Sequence, residues 1–440
     1  MAWSRASPTF DRLVIDIKRI GQDPEAFRAQ LLRRGDAALG AVVDRILELD
    51  RSRRQLLTEV EHLKAGRNSA SQEVARRKQA GEPADDLLAT LKSASDRIKA
   101  LDDELRQCQR ELQDALLTIP NPPLPEVPDG DQSHNVVVRS WGDAPAFDFE
   151  PKPHWELAET LGIVDLPRGA TIAGSGFPVF VGLGARLVRA LANFMLDLHT
   201  GEHGYIEVSP PVLVNRDALT GTGQLPKFED DLYRMDGDDL FLIPTAEVPL
   251  TNLHRGEILD GVRLPLGYVA FTPCFRREAG AHGKDTRGLI RIHQFDKVEL
   301  VRFCRAEDGP AQHALLTGHA EAVLQRLKIP YRVVALAAGD TGFSSASTFD
   351  LEVWAAGVGT WLEASSSSMF TDFQARRANI RYRPELKGKP EMVHTLNASG
   401  VAFPRTIIAL LENNQTADGE VLLPDSLVPY MGTDRLSPRA

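Results

Sequence analysis

The stretch Phe271–Leu300, FTPCFRREAGAHGKDTRGLIRIHQFDKVEL, reads as a strand, a charged glycine-bearing loop and a second strand. The first strand is expected to end on Phe275-Arg276-Arg277-Glu278. The return strand, over Leu289–Leu300, alternates its side chains, so His293, Phe295, Lys297 and Glu299 share one face. A ring set among charges is unlike a core face. Between the strands Gly280, Gly283 and Gly288 stand with Lys284, Asp285 and Arg287, a cationic lobe suited to folding over a polyanion, with ATP the obvious candidate. By charge alone, the same segment is equally an exposed hairpin with a solvated tip.

Upstream of that hairpin, Asn121-Pro122-Pro123-Leu124-Pro125-Glu126-Val127-Pro128-Asp129-Gly130 is too rich in proline for a helix or a central strand and divides the chain. After it, strand-like and helix-like segments mix without regular βαβ alternation, which predicts an α+β domain on an antiparallel sheet. Before it, Val42, Ile46, Leu49, Arg53, Leu56, Val60, Leu63, Arg67, Ala70 and Val74 mark a seam at alternating spacings of four and three. Leu87, Leu91, Ala94, Ile98, Leu101, Leu105, Cys108, Leu112, Ala115 and Ile119 mark a second one. Gly81-Glu82-Pro83 breaks the run, predicting an antiparallel two-helix hairpin that reaches about 50–60 Å. The expected division is 1–118 helical arm, 119–135 linker and 136–440 catalytic domain.

Composition excludes several classes. The net charge, 51 − 61 = −10, announces no nucleic-acid binder, so a local basic surface would have to serve. Residues 31–80 carry 11 Lys+Arg against 7 Asp+Glu, making one side of the arm cationic. Cys108, Cys274 and Cys304 form no CxxC pair, which argues against a zinc or disulfide framework. No apolar run approaches a membrane span. The opening MAWSRASPTFDRLV has the Arg and Ser of a transit peptide, but it is short and holds Asp11, so an ordinary extension and a cytoplasmic location are expected. No GxxxxGK[ST] occurs. Gly182-Leu183-Gly184 begins a GxGxxG look-alike that fails at Leu187, so it reads as a turn before a helix over Ala185–His199.

Phe-Arg-x-Glu, a glycine-rich turn and DTRGLIRxHQFxKVE together resemble motif 2 of the class II aminoacyl-tRNA synthetases in its seryl form. The resemblance runs from Asp16 to about Gly432. It includes PTAEVPLTN from Pro244, DFQARR from Asp372, a motif 1 candidate over His203–Leu213 with Pro211, and a motif 3 candidate over Asn397–Thr406. It implies an ATP-dependent serine–tRNA ligase that is a homodimer through motif 1. It also implies a basic arm that grips the long variable arm of the tRNA through residues such as Arg51, Arg54, Lys64, Arg76, Arg77 and Lys78. Arg53 and Arg67 fall on the seam, where they can snorkel or pair instead. Arg276 would bridge the amino-acid carboxylate and the α-phosphate, Glu278 the adenine amino group, and Phe295 would stack under adenine. Arg277 belongs to the same ATP site. Arg405 would hold the terminal phosphate. Glu363 and Ser366, within Glu363-Ala364-Ser365-Ser366, would face the phosphates and Mg²⁺. Thr245, Ala246, Glu247, Arg276, Glu299 and Ser399 fall on the serine-binding positions.

The sequence departs from the family at Leu362, Ser367, Met369 and Pro404, where arginine, cysteine, asparagine and glycine are usual. The first three put the floor of the serine pocket in question. Which glutamate takes the ammonium, and whether selenocysteine tRNA is a substrate, stay open. Two other readings are a ligase that loads serine onto a carrier protein and a catalytically inactive tRNA-binding regulator. The basic arm argues against the first. The joint presence of Arg276, Glu278, Phe295, Glu363 and Arg405 argues against the second.

Overall fold

The computed structural model describes residues 15–279, 287–385 and 387–438. The opening MAWSRASPTFDRLV and Gly280–Thr286 of the expected cationic lobe lie outside the described residues. The described residues form two compact units: one holds 15–32 and 36–119, and the other holds Arg33–Gly35 with Pro120 onward.

In the first unit, helices α1 (Ile17–Gln22) and α2 (Pro24–Leu32) precede the long helices α3 (Ala38–Ala80) and α4 (Asp85–Thr118). The heptad seam buries Val43, Ile46, Leu49, Val60 and Val74 against Ile98, Leu101, Leu105 and Leu112. Val43, not the expected Val42, is the fully buried residue of the first turn. Gly81 ends α3 in the left-handed region at φ 73°, its N–H returning to Arg77 O and Lys78 O, which only glycine does without strain. The 43 residues of α3 span about 65 Å at the usual helical rise. Ion pairs across the hairpin, Arg45–Glu111 and Lys64–Asp102, keep the helices in register. Most of the arm cations already have partners: Asp50 holds Arg53 and Arg54, and Glu73 holds Arg76 and Arg77. Arg51 and Lys78 are exposed.

The second unit is built on an eight-stranded sheet. Its strands are β1 (Val136–Trp141), β2 (Ile206–Glu207), β3 (Leu266–Phe275), β4 (Gln294–Cys304), β5 (Tyr331–Ala335), β6 (Ser347–Ala355), β7 (Thr360–Thr371) and β8 (His394–Ala402). They lie in the order β1-β5-β6-β7-β8-β4-β3-β2. Every pair is antiparallel except β2 with β3. Helices α5 (Leu183–Gly201), α8 (Gly309–Arg326) and α10 (Phe403–Asn413) supply Leu191, Met195, Leu316, Leu324, Ile407 and Leu411 to the main core against this sheet. Three short helices, α6 (Arg216–Thr222), α7 (Glu247–Asn252) and α9 (Phe373–Ala378), frame one end of it. The proline-rich segment is no loose tether. Asn121 is buried, its Nδ2 donating to Ser344 O at 2.9 Å and Phe370 O at 2.7 Å, and Leu124 N donates to Ala346 O at 2.9 Å.

The hairpin is real, with corrected bounds. β3 stops at Phe275, and β4 starts at Gln294 instead of Leu289, so His293 stands outside the ladder. The chain from Gly288 to His293 is anchored another way. Leu289 N donates to His154 Nε2 at 3.0 Å, and the buried His154 Nδ1 meets Glu412 at 2.8 Å. At its other end His293 donates its N–H to Gly176 O and accepts from Arg276 N, both at 2.9 Å, so the segment is tied at both ends.

Candidate active site

A cleft of about 730 Å³ opens on one face of the sheet, lined by Thr245, Glu247, Arg276, Lys297, Glu363 and Arg405, with Ser399 and Asn397 at its floor. Its logic is strand parity. On β4 the alternate residues Phe295 and Lys297 line the cleft, and Glu299, the next residue of that face, is completely buried. On β7 Ser366, Ser368 and Phe370 line it, while Ser367 and Met369 turn to α8. There Ser367 Oγ accepts from Thr317 Oγ1 at 2.9 Å, and Met369 is 3 % exposed in the core. Two of the unusual residues therefore lie on the opposite face from the pocket they seemed to threaten. Leu362 does line the cleft. Pro404 sits in the first turn of α10, where a missing N–H costs nothing.

At the deep end, a network joins four elements. Thr245 Oγ1 donates to Glu299 Oε2 at 3.0 Å and accepts from Lys297 Nζ at 2.9 Å. Lys297 is also ion-paired to Glu299, and neither is more than 6 % exposed. Asn397 Nδ2 donates to Glu247 Oε2 and Glu299 Oε1, both at 3.0 Å. Glu247 Oε1 accepts from Gln374 Nε2 at 2.5 Å. The two carboxylates thus differ. Glu299 has a cation against it, whereas Glu247 has only amide donors and is pushed up to about 7 by burial and by the charge of Glu299. Lys297, Asn397 and Gln374 were not singled out from sequence. Lys297 stood in the alternating face and Asn397 in the motif 3 string, and that was the signal available.

Toward the opening, the Arg276 guanidinium lies 5.3 Å from the Phe295 ring centre, and Arg276 Nε donates to Pro244 O at 3.3 Å. Glu278 is ion-paired to Arg291 and adopts φ 53°, a strained conformation for a non-glycine residue. Arg405 Nη1 donates to Glu363 O at 2.5 Å and lies 3.4 Å from the Glu363 carboxylate. Asp350 lies opposite Ser366 on β6, and Glu352 lies opposite Glu363. Burial, then Glu363, hold the Asp350 carboxyl well above the usual range, and its Oδ1 has no hydrogen-bond partner.

Four expected site residues do not present side chains to the cleft, the completely buried Glu299 among them. Ala246 is buried in a satellite core, Ser365 Oγ donates to Ser399 O at 2.5 Å, and Arg277 is exposed and outside the lining. Ala364 is buried at 1 %, at the edge of the Phe295 subpocket.

The arrangement has two parts: an acidic, amide-lined end for a small cationic polar molecule, and a guanidinium-walled end with an aromatic shelf for a nucleotide. The state of Glu247 gives an expected result. A carboxyl raised to about 7 is ionised above that pH and gains a proton as the pH falls through it. The attraction for an ammonium is then lost. Affinity of the acidic end for a small ammonium-bearing ligand should fall about tenfold per pH unit below the midpoint, while affinity for a nucleotide at the other end stays flat. A pH profile of each affinity separately checks it.

Comparison with known proteins gives a consistent picture. Residues 227–414 match the tRNA synthetase class II core domain (G, H, P, S and T), and residues 14–123 match the seryl-tRNA synthetase N-terminal domain. The chain is 56 % identical over 426 residues to a serine–tRNA ligase of Citrifermentans bemidjiense, covering 96 % of this chain and 100 % of the relative. It is 54 % identical to that of Gemmatimonas aurantiaca, covering 95 % and 98 %. The crystal structure of seryl-tRNA synthetase from Pyrococcus horikoshii complexed with ATP superposes with a TM-score of 0.92 at 40 % identity, covering 97 % of this chain and 100 % of that one.

Proposed function

The chain belongs to the seryl-tRNA synthetases, class II enzymes that join serine to tRNA at the expense of ATP, and we propose how its cleft divides that work. The serine ammonium sits against Glu247, the one buried carboxylate of the pair with no cation against it. The hydroxyl meets Glu299 and Ser399. The observation that carries this assignment is the Lys297–Glu299 ion pair: with its charge already compensated, Glu299 is an acceptor suited to a neutral O–H. A pocket so built rejects alanine by leaving buried polar groups unpaired, by about 10⁴-fold in comparable sites.

The nucleotide occupies the opening, with adenine on Phe295, its amino group toward Glu278, and the phosphates between Arg276 and Arg405. The serine carboxylate attacks the α-phosphorus and pyrophosphate leaves. The 3′-terminal ribose hydroxyl of the tRNA then attacks the seryl carbonyl and AMP leaves. The substrates supply both nucleophiles, so this protein's part is to align and neutralise.

Glu363, Ser366 and the partnerless Asp350 Oδ1 offer hard oxygen donors suited to Mg²⁺, which takes the rest of its shell from phosphates and water. Bound there, it would offset phosphate charge. Further parts of the reading are a homodimer, supported by the exposed Ile206 within the motif 1 candidate, a separable arm that takes the long variable arm of the tRNA, and a cytoplasmic location. Among the described residues no helix is long and apolar enough to cross a membrane.

Serine-dependent ATP–pyrophosphate exchange with Glu247→Gln and Glu299→Gln variants tests the division. Glu247→Gln should raise KM for serine by about 100-fold, as expected for loss of a buried ion pair. Glu299→Gln should chiefly erode discrimination against alanine, and the reverse pattern would exchange the two roles. Phe295→Ala should raise KM for ATP about tenfold, the worth of one stacked base, and leave KM for serine unchanged.

A further inference from the structure

We infer that Gln374 is a positioning residue for serine recognition, fixing Glu247 and keeping its carboxylate ready for the substrate ammonium; this rests on the assignment of the ammonium to Glu247. Gln374 is the second residue of α9, more than 120 positions from Glu247 in sequence, and is fully buried.

Every polar atom of its amide is committed. Oε1 accepts from Thr395 Oγ1 at 2.8 Å, so the amide cannot flip without facing the hydroxyl with its NH₂. Nε2 donates to Glu247 Oε1 at 2.5 Å and to Thr222 O at 3.3 Å. Thr395 on β8 therefore sets the amide, and the amide sets the carboxylate. Thr222 O, at the end of α6, brings in the following loop, whose Gln224 and Phe228 line the cleft.

The other Glu247 oxygen is taken by Asn397. That amide is shared with Glu299 and cannot orient Glu247 alone. Two donors on a carboxylate with no adjacent cation favour its charged form against the burial that opposes it. Without Gln374, Glu247 would be free to turn or to hold a proton, and neither form attracts an ammonium.

The test uses the full-length enzyme with Gln374→Met, close in volume and without donors, in serine-dependent pyrophosphate exchange. KM for serine should rise at least about tenfold, the worth of one buried hydrogen bond to a charged group, with KM for ATP unchanged. The acid limb of the serine profile should move to higher pH. Thr395→Val leaves every carboxylate contact in place and should shift both readouts in the same direction by less. It supplies the answer even if Gln374→Met does not fold. In a Glu247→Gln background, Gln374→Met should add little further loss, because the two act as a unit.

Equal losses for both substrates with an unmoved acid limb, or additive losses in the double variant, would overturn the inference and leave Gln374 a structural residue. If Glu247→Gln raises KM for serine while Gln374→Met and Thr395→Val are silent, the positioning role alone falls. If Glu247→Gln itself is silent, the ammonium assignment falls first.

Discussion

Arg276→Ala abolishes serine-dependent pyrophosphate exchange, with kcat/KM lower by about 10³-fold or more, the scale of losing a pre-aligned charge at the reacting centre. Arg276 leaves β3 where the strand ends and is steadied by Pro244 O and by the Phe295 ring, so its guanidinium is held before any substrate arrives. A lysine should restore little, because a point charge cannot bridge two oxyanions as a planar fork does. Exchange measured beside thermal unfolding separates the effects: Tm should hardly move, since Arg276 is not part of the core. Undiminished exchange would remove Arg276 from the reaction.

Shortening the arm should divide the two half-reactions. Deleting residues 57–100 and closing the ends with a short glycine turn keeps the seam from Val43 to Leu49 against Leu101 to Leu112. It removes Lys64, Arg76, Arg77 and Lys78. Exchange should stay within about twofold, while charging of tRNA falls by about 100-fold or more as several phosphate contacts disappear. The wild-type KM for tRNA should climb steeply with salt, and the shortened enzyme should show a shallower slope. Equal loss of both activities would make the hairpin structural.

What was legible in the sequence was local or periodic. The heptads announced two helices, Gly81 their end, and alternation put Phe295, Lys297 and Glu299 on one face. Arg276, Glu278, Glu363 and Arg405 were legible because their strings carry a family resemblance, and the fold does bring them to one cleft. The parts missed depend on tertiary contact. Gln374 reaches Glu247 only because α9 folds back on α6 and β8, and no periodicity reports that. Leu289 to His293 alternates like a strand, yet its backbone is held at Leu289 by the His154 ring, more than 130 residues earlier, and at His293 by Gly176 and Arg276. Ser367 and Met369 stood out in a serine-rich run whose parity is shifted by the irregularity between Leu351 and Glu352, and spacing alone does not tell which side of the sheet they take.

Ionic and apolar side chains are interleaved one for one along β4: Lys297 and Glu299 join the network with Thr245 and Asn397, while Val298 and Leu300 are completely buried in the main core. Adding or deleting a single codon there would drive the ion-paired groups into oil and turn two aliphatic ones into the polar network, destroying stability and the network together. The coiled hairpin obeys a looser arithmetic, since whole heptads inserted there restore the same seam. The coiled arm thus tolerates a change of length in whole repeats, while β4 must keep its length to the residue.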